Sequence, residues 1–304
     1  MRKKLKKISE RRACRAVGQP RSTQRYRAQQ RNGERVLVDR MRELALRNPR
    51  YGYRRIAALL RAEGFKVNLK RVHRLWRGEG LKVPQKQRKK RVLGSSGDNA
   101  SHRRSAERPD QVWSFDFCFD RTSDGKPLKI FSVLDEFTRQ CLTIEVDRHI
   151  TGSDVVRILS ELMRLRGVVP EHLRCDNGPE FICTAVKSWL EQAKVEALYI
   201  EPGSPWENAY AESYHARLRD EVLNRTEFAT LAEARALLSA WREQYNHERP
   251  HSALDYKTPA AFAATWTADR AEDRRDARHA EPGSAALRPA QHDEQKEILE
   301  VVAH

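Results

Sequence analysis

The chain has 304 residues, enough for two domains and a sizeable core, and its five cysteines (14, 118, 141, 175 and 183) are odd in number and lack a CxxC pair, which excludes a disulfide framework or a zinc module as its organising principle. Lys and Arg outnumber Asp and Glu for a net charge of +16, which points to a polyanionic partner. No run of about 18 apolar residues reads as a membrane span, and the basic start leads into no apolar signal core, so a cytoplasmic chain without a membrane partner is expected.

The charge is unevenly placed: residues 1–105 hold 33 Lys/Arg against 7 Asp/Glu, a net of +26, which leaves −10 for the other 199. Residues 1–31 read as a basic arm with little sustained periodicity, although Ser9 to Val17 suits a short helix. Residues 32–84 contain three helical stretches. Val38, Met41, Leu44 and Ala45 share a face in the first, which Asn48-Pro49 ends; Ile56, Leu59 and Leu60 mark the second, which Gly64 ends. Asn68 is placed to cap the third, Leu69 to Arg77, with Leu69, Val72, Leu75 and Trp76 inward. Its outward stripe, Lys70, His73, Arg74 and Arg77, with Arg71 beside it, suits the recognition helix of a helix-turn-helix lying in a major groove.

Residues 85–107 hold Lys86-Gln-Arg-Lys-Lys-Arg91 and then Gly94-Ser-Ser-Gly-Asp-Asn-Ala-Ser101, the composition of a basic, flexible linker. Residues 108–262 read as strand (112–119), a turn at Ser123-Asp-Gly125, strands (128–134 and 141–147), helix (153–166), strand (172–176), helix (180–193) and strand (195–200). That order predicts a mixed five-stranded sheet flanked by helices. Thr230-Leu-Ala-Glu233 has capping-box form, and Leu231, Leu237, Leu238, Trp241 and Tyr245 make an apolar stripe suited to core packing. Residues 263–304 turn to Arg, Asp, Glu, Ala, Pro and Gln, which predicts a disordered tail.

Three acids stand out in the second half. Asp116 lies in Val112-Trp-Ser-Phe-Asp-Phe-Cys-Phe119, where large apolar residues at 113, 115, 117 and 119 alternate as in a half-buried strand. Asp176 closes Leu173-Arg-Cys-Asp-Asn-Gly178, and Glu212 opens Glu212-Ser-Tyr-His-Ala-Arg-Leu-Arg219 after a Gly/Ser/Pro loop, with 35 residues between these two acids. Carboxylates from two strand ends and a helix suit a pair of magnesium ions, which take hard oxygen ligands and keep waters for a phosphate to displace. With 42 acids in the chain, spacing alone decides nothing. The context carries the argument: Asp-Asn-Gly in the turn, Ser204-Pro-Trp-Glu-Asn-Ala209 before the third acid, and Arg219 seven residues after it, on the helix face of Glu212, His215 and Ala216. Cys175 reads as a small apolar filler, Asp135 as a structural acid at a strand end, and His215 stays outside the catalytic set. Tyr245, Asn246, Arg249, Pro250 and His251 suit DNA contact or a helix-end clamp equally.

On these residues, together with Ser9-Glu-Arg-Arg-Ala-Cys-Arg15, Tyr51-Gly-Tyr-Arg-Arg-Ile56, Asp176-Asn-Gly-Pro-Glu-Phe181 and Tyr245-Asn-His-Glu-Arg-Pro-His-Ser-Ala-Leu254, the chain resembles the catalytic second reading frame of insertion-sequence transposases of the IS-three family. The resemblance implies an α/β, RNase H-like core behind an α-helical helix-turn-helix domain, D,D,E catalysis by Asp116, Asp176 and Glu212, and Mg2+ or Mn2+, two ions per site. It places Arg219 at a basic DNA-contact position. As partners it implies double-stranded DNA, both element terminal inverted repeats and target DNA, a homo-oligomer on that DNA, and fusion to or association with an upstream-frame product; the setting is bacterial and nucleoid-associated. The rival from another class is a non-catalytic DNA-binding repressor or inhibitor derived from a transposase. A retroviral-type integrase would carry a His/Cys zinc module ahead of the core, which this sequence does not show.

Overall fold

The computed structural model describes residues 9–26, 33–83, 105–199 and 208–267, which fall into two compact units, Met1–Lys82 and Val83–His304. The linker expected across 85–107 lies almost wholly outside the described residues, as does the tail beyond 267. No helix among the described residues is long and apolar enough to cross a membrane.

The first unit is helical: α1 (Glu10–Ala16), α2 (Arg21–Arg25), α3 (Glu34–Arg47), α4 (Tyr53–Ala62) and α5 (Leu69–Gly78). Within the basic arm the short helix expected from Ser9 to Val17 forms as α1, capped by Ser9, and a second helix, α2, is held to it by Arg25, which forks onto Glu10 at 2.8 and 3.1 Å. Leu37, Val38, Met41 and Leu44 of α3, Ile56, Ala57 and Leu60 of α4, and Val72, Leu75 and Trp76 of α5 are buried. Leu69, expected inward, is only half-buried because it begins its helix, where the Asn68 side chain caps the Lys70 N–H at 2.8 Å.

The second unit is a five-stranded mixed sheet in the order β3-β2-β1-β4-β5, with β1 (Val112–Arg121), β2 (Pro127–Asp135), β3 (Cys141–Asp147), β4 (His172–Cys175) and β5 (Glu196–Tyr199). β1 pairs antiparallel with β2 over its whole length but parallel with β4 over only three residues, Val112 to Ser114. α6 (Gly152–Arg166) and α7 (Thr184–Gln192) cover one face with Trp113, Phe115, Phe131 and Phe181; α8 (Ala209–Leu218) and α9 (Leu231–His247) cover the other with Cys118, Leu128, Ile130 and Leu134. β1 is therefore clad on both faces, not half-buried as the alternation suggested.

α7 starts at Thr184, not 180. The delay has a packing cause: Phe181 plugs into the core against Phe115 and Phe117, with ring centroids 4.8 and 4.9 Å away, and Gly178 O accepts the Phe181 N–H in a turn. On α9, Ala234, Leu238, Trp241 and Tyr245 face inward, whereas Leu237 is 40% exposed because it flanks that stripe. Thr230 accepts the Glu233 N–H at 3.1 Å, while Glu233 reaches back to Ala229 N. Residues 259–267 are helical, and Trp266 sets its ring edge-on to Phe137 at 4.9 Å, so order continues past the expected boundary at 263.

α9 also seals the edge strand β3. Arg235 donates to Val146 O, Arg242 to Leu142 O, and the Asn246 amide both accepts from Cys141 N and donates to Cys141 O, each at 2.9 Å. Spacings of seven and four keep the three side chains on one helical face. Asn246→Ala leaves a buried backbone donor and acceptor unpaired, at about 1–3 kcal/mol each, so we expect a loss of about 2–6 kcal/mol in urea unfolding. A loss under about 0.5 kcal/mol would contradict this role for the amide.

Candidate active site

The two-residue period of β1 sends Trp113, Phe115 and Phe117 toward α6 and α7, and Ser114, Asp116 and Cys118 toward α8 and α9. Asp116 thus leaves the sheet on the α8 side. It stands opposite Ser132 in the β1–β2 ladder, and the β1–β4 register, carried two residues past Ser114↔Arg174, puts it level with Asp176 just beyond β4.

α8 supplies the contacts. Asn208, at its N-cap, has Nδ2 3.4 Å from Asp116 Oδ2, and His215 Nδ1 lies 3.5 Å from the same oxygen. Asp116 Oδ1 accepts the Phe117 N–H at 2.7 Å. His215 Nε2 is 2.8 Å from Ser132 Oγ, in a buried pair. Asn208 Oδ1 is buried and without a hydrogen-bond partner among the described residues.

Asp176 Oδ1 accepts the Gly178 N–H at 3.0 Å, and a Cβ on Gly178 would sit only 3.0 Å from that oxygen, so the turn suits the residue that lacks one. Burial, then repulsion from Asp116 and Glu180, hold the Asp176 carboxyl above its ordinary range despite that N–H. Lys129 pins the same turn: its ammonium donates to Ile150 O at 2.9 Å, pairs with Glu180 at 2.5 Å and sits 4.1 Å over the Phe117 ring.

Glu212 is exposed, one turn from His215 and on the helical face of Asn208 and His215, by the i, i+4, i+7 rule. The structure brings Asp116 and Asp176 into electrostatic contact but does not gather Glu212 with them; no three His, Cys, Asp or Glu among the described residues are clustered closely enough to hold a metal ion. Residues 200–207, which lead into α8, lie outside the described residues. The donors present nevertheless fit a hard divalent cation, being two neighbouring carboxylates, one held above its ordinary range by burial and by the other's charge, and an orphaned amide oxygen close in sequence to Glu212.

Arg219 is exposed where α8 passes into a π-helical turn, Arg219–Leu223. In the N-terminal unit Lys70, His73, Arg74 and Arg77 are all exposed on α5 and Arg71 is half-buried. Three of them are engaged within the fold: Arg74 is ion-paired to the buried Glu34, Arg71 Nε lies 4.0 Å from the same carboxylate, and His73 lies over the Tyr53 ring at 4.4 Å.

Other sequence candidates resolve as structural. Asp135 accepts from Thr138 Oγ1 at 2.6 Å and Phe137 N at 3.1 Å, fixing the β2–β3 turn. Burial pushes the Cys175 thiol up to about 12, leaving no thiolate to act as a nucleophile. Arg249 is buried against the Glu221 carboxylate, so the segment after α9 is a clamp. Ser132 and Asn208 were not singled out from sequence; Asn208, four residues before Glu212, carried a helical-spacing signal, whereas Ser132 became visible only through the β1–β2 register.

Residues 106–205 and 193–259 match integrase core domain families, and residues 32–90 match an HTH-like domain family. An uncharacterized 31.7 kDa protein of insertion element IS407 from Burkholderia multivorans is 43% identical over 257 residues, 84% of this chain and 91% of its own. The transposase for insertion sequence element IS904 from Lactococcus lactis is 28% identical over 229 residues, 70% of this chain and 87% of that protein. Among solved structures, the HTLV-2 integrase catalytic core domain in complex with magnesium shares 15% identity, covering 52% of this chain and 98% of that chain at a TM-score of 0.41.

The raised Asp176 pKa fixes a sign. The folded state holds this proton more tightly than the unfolded state, so the residue works against the fold as pH rises from 3.8 through the raised value. Asp176→Asn keeps the acceptor for Gly178 and removes the charge. In chelator at about pH 7 it should raise the melting temperature, with the gain vanishing below the ordinary carboxylate range; an unchanged or lower melting temperature at neutral pH contradicts a carboxyl held above its ordinary range in the fold.

Proposed function

The chain belongs to the IS-three family of insertion-sequence transposases, with an integrase core and a helix-turn-helix-like domain, and from that premise we propose that it binds element-end DNA, cleaves it to free a 3′ hydroxyl and joins that hydroxyl to target DNA. The observation that carries the chemistry is the placement of Asp116 and Asp176 side by side where β4 stops pairing with β1, under the helix that bears Glu212.

Asp116, Asp176 and Glu212 would hold two Mg2+ or Mn2+ ions. Bound there, such ions would supply Lewis acidity for displacement at a phosphodiester. The chain's own part is geometric. Phe117 N–H, Asn208 and His215 fix Asp116, Gly178 N–H fixes Asp176, and α8 delivers Glu212 from the same face as Asn208 and His215. Approach of Glu212 to the two aspartates completes the set. Arg219, seven residues along α8, is placed to meet a DNA phosphate. No covalent protein intermediate is required.

In the N-terminal unit, Lys70 and Arg77 of α5, with Arg71, His73 and Arg74, would contact the terminal repeats, and the +26 of residues 1–105 supplies the counterion release. The acting form would be a homo-oligomer on DNA, in the bacterial cytoplasm, alone or joined to an upstream-frame product.

Two measurements test this reading. Glu212→Gln should abolish cleavage and joining of element ends in manganese or magnesium while leaving DNA binding intact, and Glu212→Asp, with its carboxylate withdrawn by about 1 Å, should lose about 10²-fold in rate. Gel mapping of nicked and joined products decides; a Gln variant that cuts at the unmutated rate removes Glu212 from the site. Arg77→Ala should weaken element-end binding and lower the slope of log affinity against log salt by about 1, as for one lost phosphate contact. An unchanged slope would take Arg77 off the DNA.

A further inference from the structure

We propose that His215, held between Ser132 and Asp116, is a positioning residue that aims the Asp116 carboxylate at the metal; the inference rests on the reading of Asp116 as a ligand. The three groups form one array, with Ser132 Oγ 2.8 Å from His215 Nε2 and His215 Nδ1 3.5 Å from Asp116 Oδ2. Because Asp116 and Ser132 are cross-strand partners, the sheet sets their separation, and α8 drops the imidazole between them.

The ring has little freedom. His215 is buried, and its neighbour Tyr214 is fully enclosed among Trp241, Tyr245 and Cys141, so the helix turn that carries both is anchored. When the Ser132 hydroxyl donates to Nε2, the proton of the neutral imidazole resides on Nδ1 and faces Asp116 Oδ2. Each carboxylate oxygen then has a neighbour, Oδ1 accepting the Phe117 N–H and Oδ2 accepting from Asn208 Nδ2 with His215 Nδ1 3.5 Å away.

Hydroxyl, imidazole and carboxylate in this order also make the connectivity of a nucleophilic serine triad. Ser132 is 1% exposed, sealed between sheet and α8, and no substrate phosphorus can reach its oxygen. The array therefore acts at its carboxylate end. Side chains that orient a metal-binding carboxylate govern affinity as well as rate.

The test is Mn2+ binding to the full chain, followed by the electron paramagnetic resonance of free ion, with thermal melts to establish folding. An asparagine amide nitrogen falls near the place of Nδ1, whereas a glutamine amide reaches the place of Nε2. His215→Gln should weaken Mn2+ by about tenfold or more, and His215→Asn should stay within about threefold of the unmutated chain. Ser132→Ala, which frees the ring without touching the carboxylate, should also weaken binding, and it carries the test should His215→Gln not fold. Equal affinity in His215→Gln, His215→Asn and the unmutated chain, or no change in Ser132→Ala, overturns the proposal. Asp116→Asn separates the two readings: if it binds Mn2+ as well as the unmutated chain, Asp116 is not a ligand and the underlying functional reading fails, whereas its loss beside unaffected His215 and Ser132 variants refutes the positioning role alone.

Discussion

β4 stops pairing with β1 after three residues, and the candidate site exists because of that early stop. β1 itself runs on, held by β2 as far as Arg121, so it remains a rigid strand while one side of it opens just past Ser114. Asp116 sits in the opening and Asp176 at its lip. Asp116 is fixed on β1 and Asp176 follows directly on β4, so strand pairing sets how closely the two carboxylates approach.

The rest of the domain sustains that arrangement from both faces. On one side the stacked rings of Phe117 and Phe181, with Lys129 above and Glu180 beside it, tie the turn after Asp176 to the strand that carries Asp116. On the other, α8 crosses β1 and is held at its far end by the π-helical turn, whose Glu221 meets the buried Arg249. Glu136 and Arg174 form a further buried pair at 2.9 Å. Such pairs add little net stability, because desolvation offsets attraction, but breaking one strands a buried charge at about 3–5 kcal/mol. Their effect is to exclude alternative packings of the strands and helices they join.

Much of this was legible in the sequence where a local rule governs. The alternation around Asp116 located β1, Asn68 located the start of α5, and the Leu238, Trp241 and Tyr245 stripe located α9. What escaped depends on residues far apart in the chain. Nothing near Arg74 indicates that Glu34, forty positions earlier, would hold it, and nothing near His215 indicates Ser132, which only strand register brings opposite Asp116. The late start of α7 escaped for a related reason: only the packed core shows that Phe181 serves as a plug, which holds 180–183 out of the helix. The short helix expected from Ser9 to Val17 is there as α1, but α2 escaped because a five-residue helix is marginal alone and is held here through Arg25 on Glu10.

The sealing of β3 by α9 limits how copies of the chain can meet. A bare edge strand is a template for a strand from another molecule. Here Arg235, Arg242 and Asn246 occupy backbone groups of β3 that an incoming strand would need, so a helix stands in for the missing neighbour. Continuous sheets between copies are therefore blocked along this border, and any contact between copies there would run through side-chain surfaces, which can separate without breaking backbone pairing.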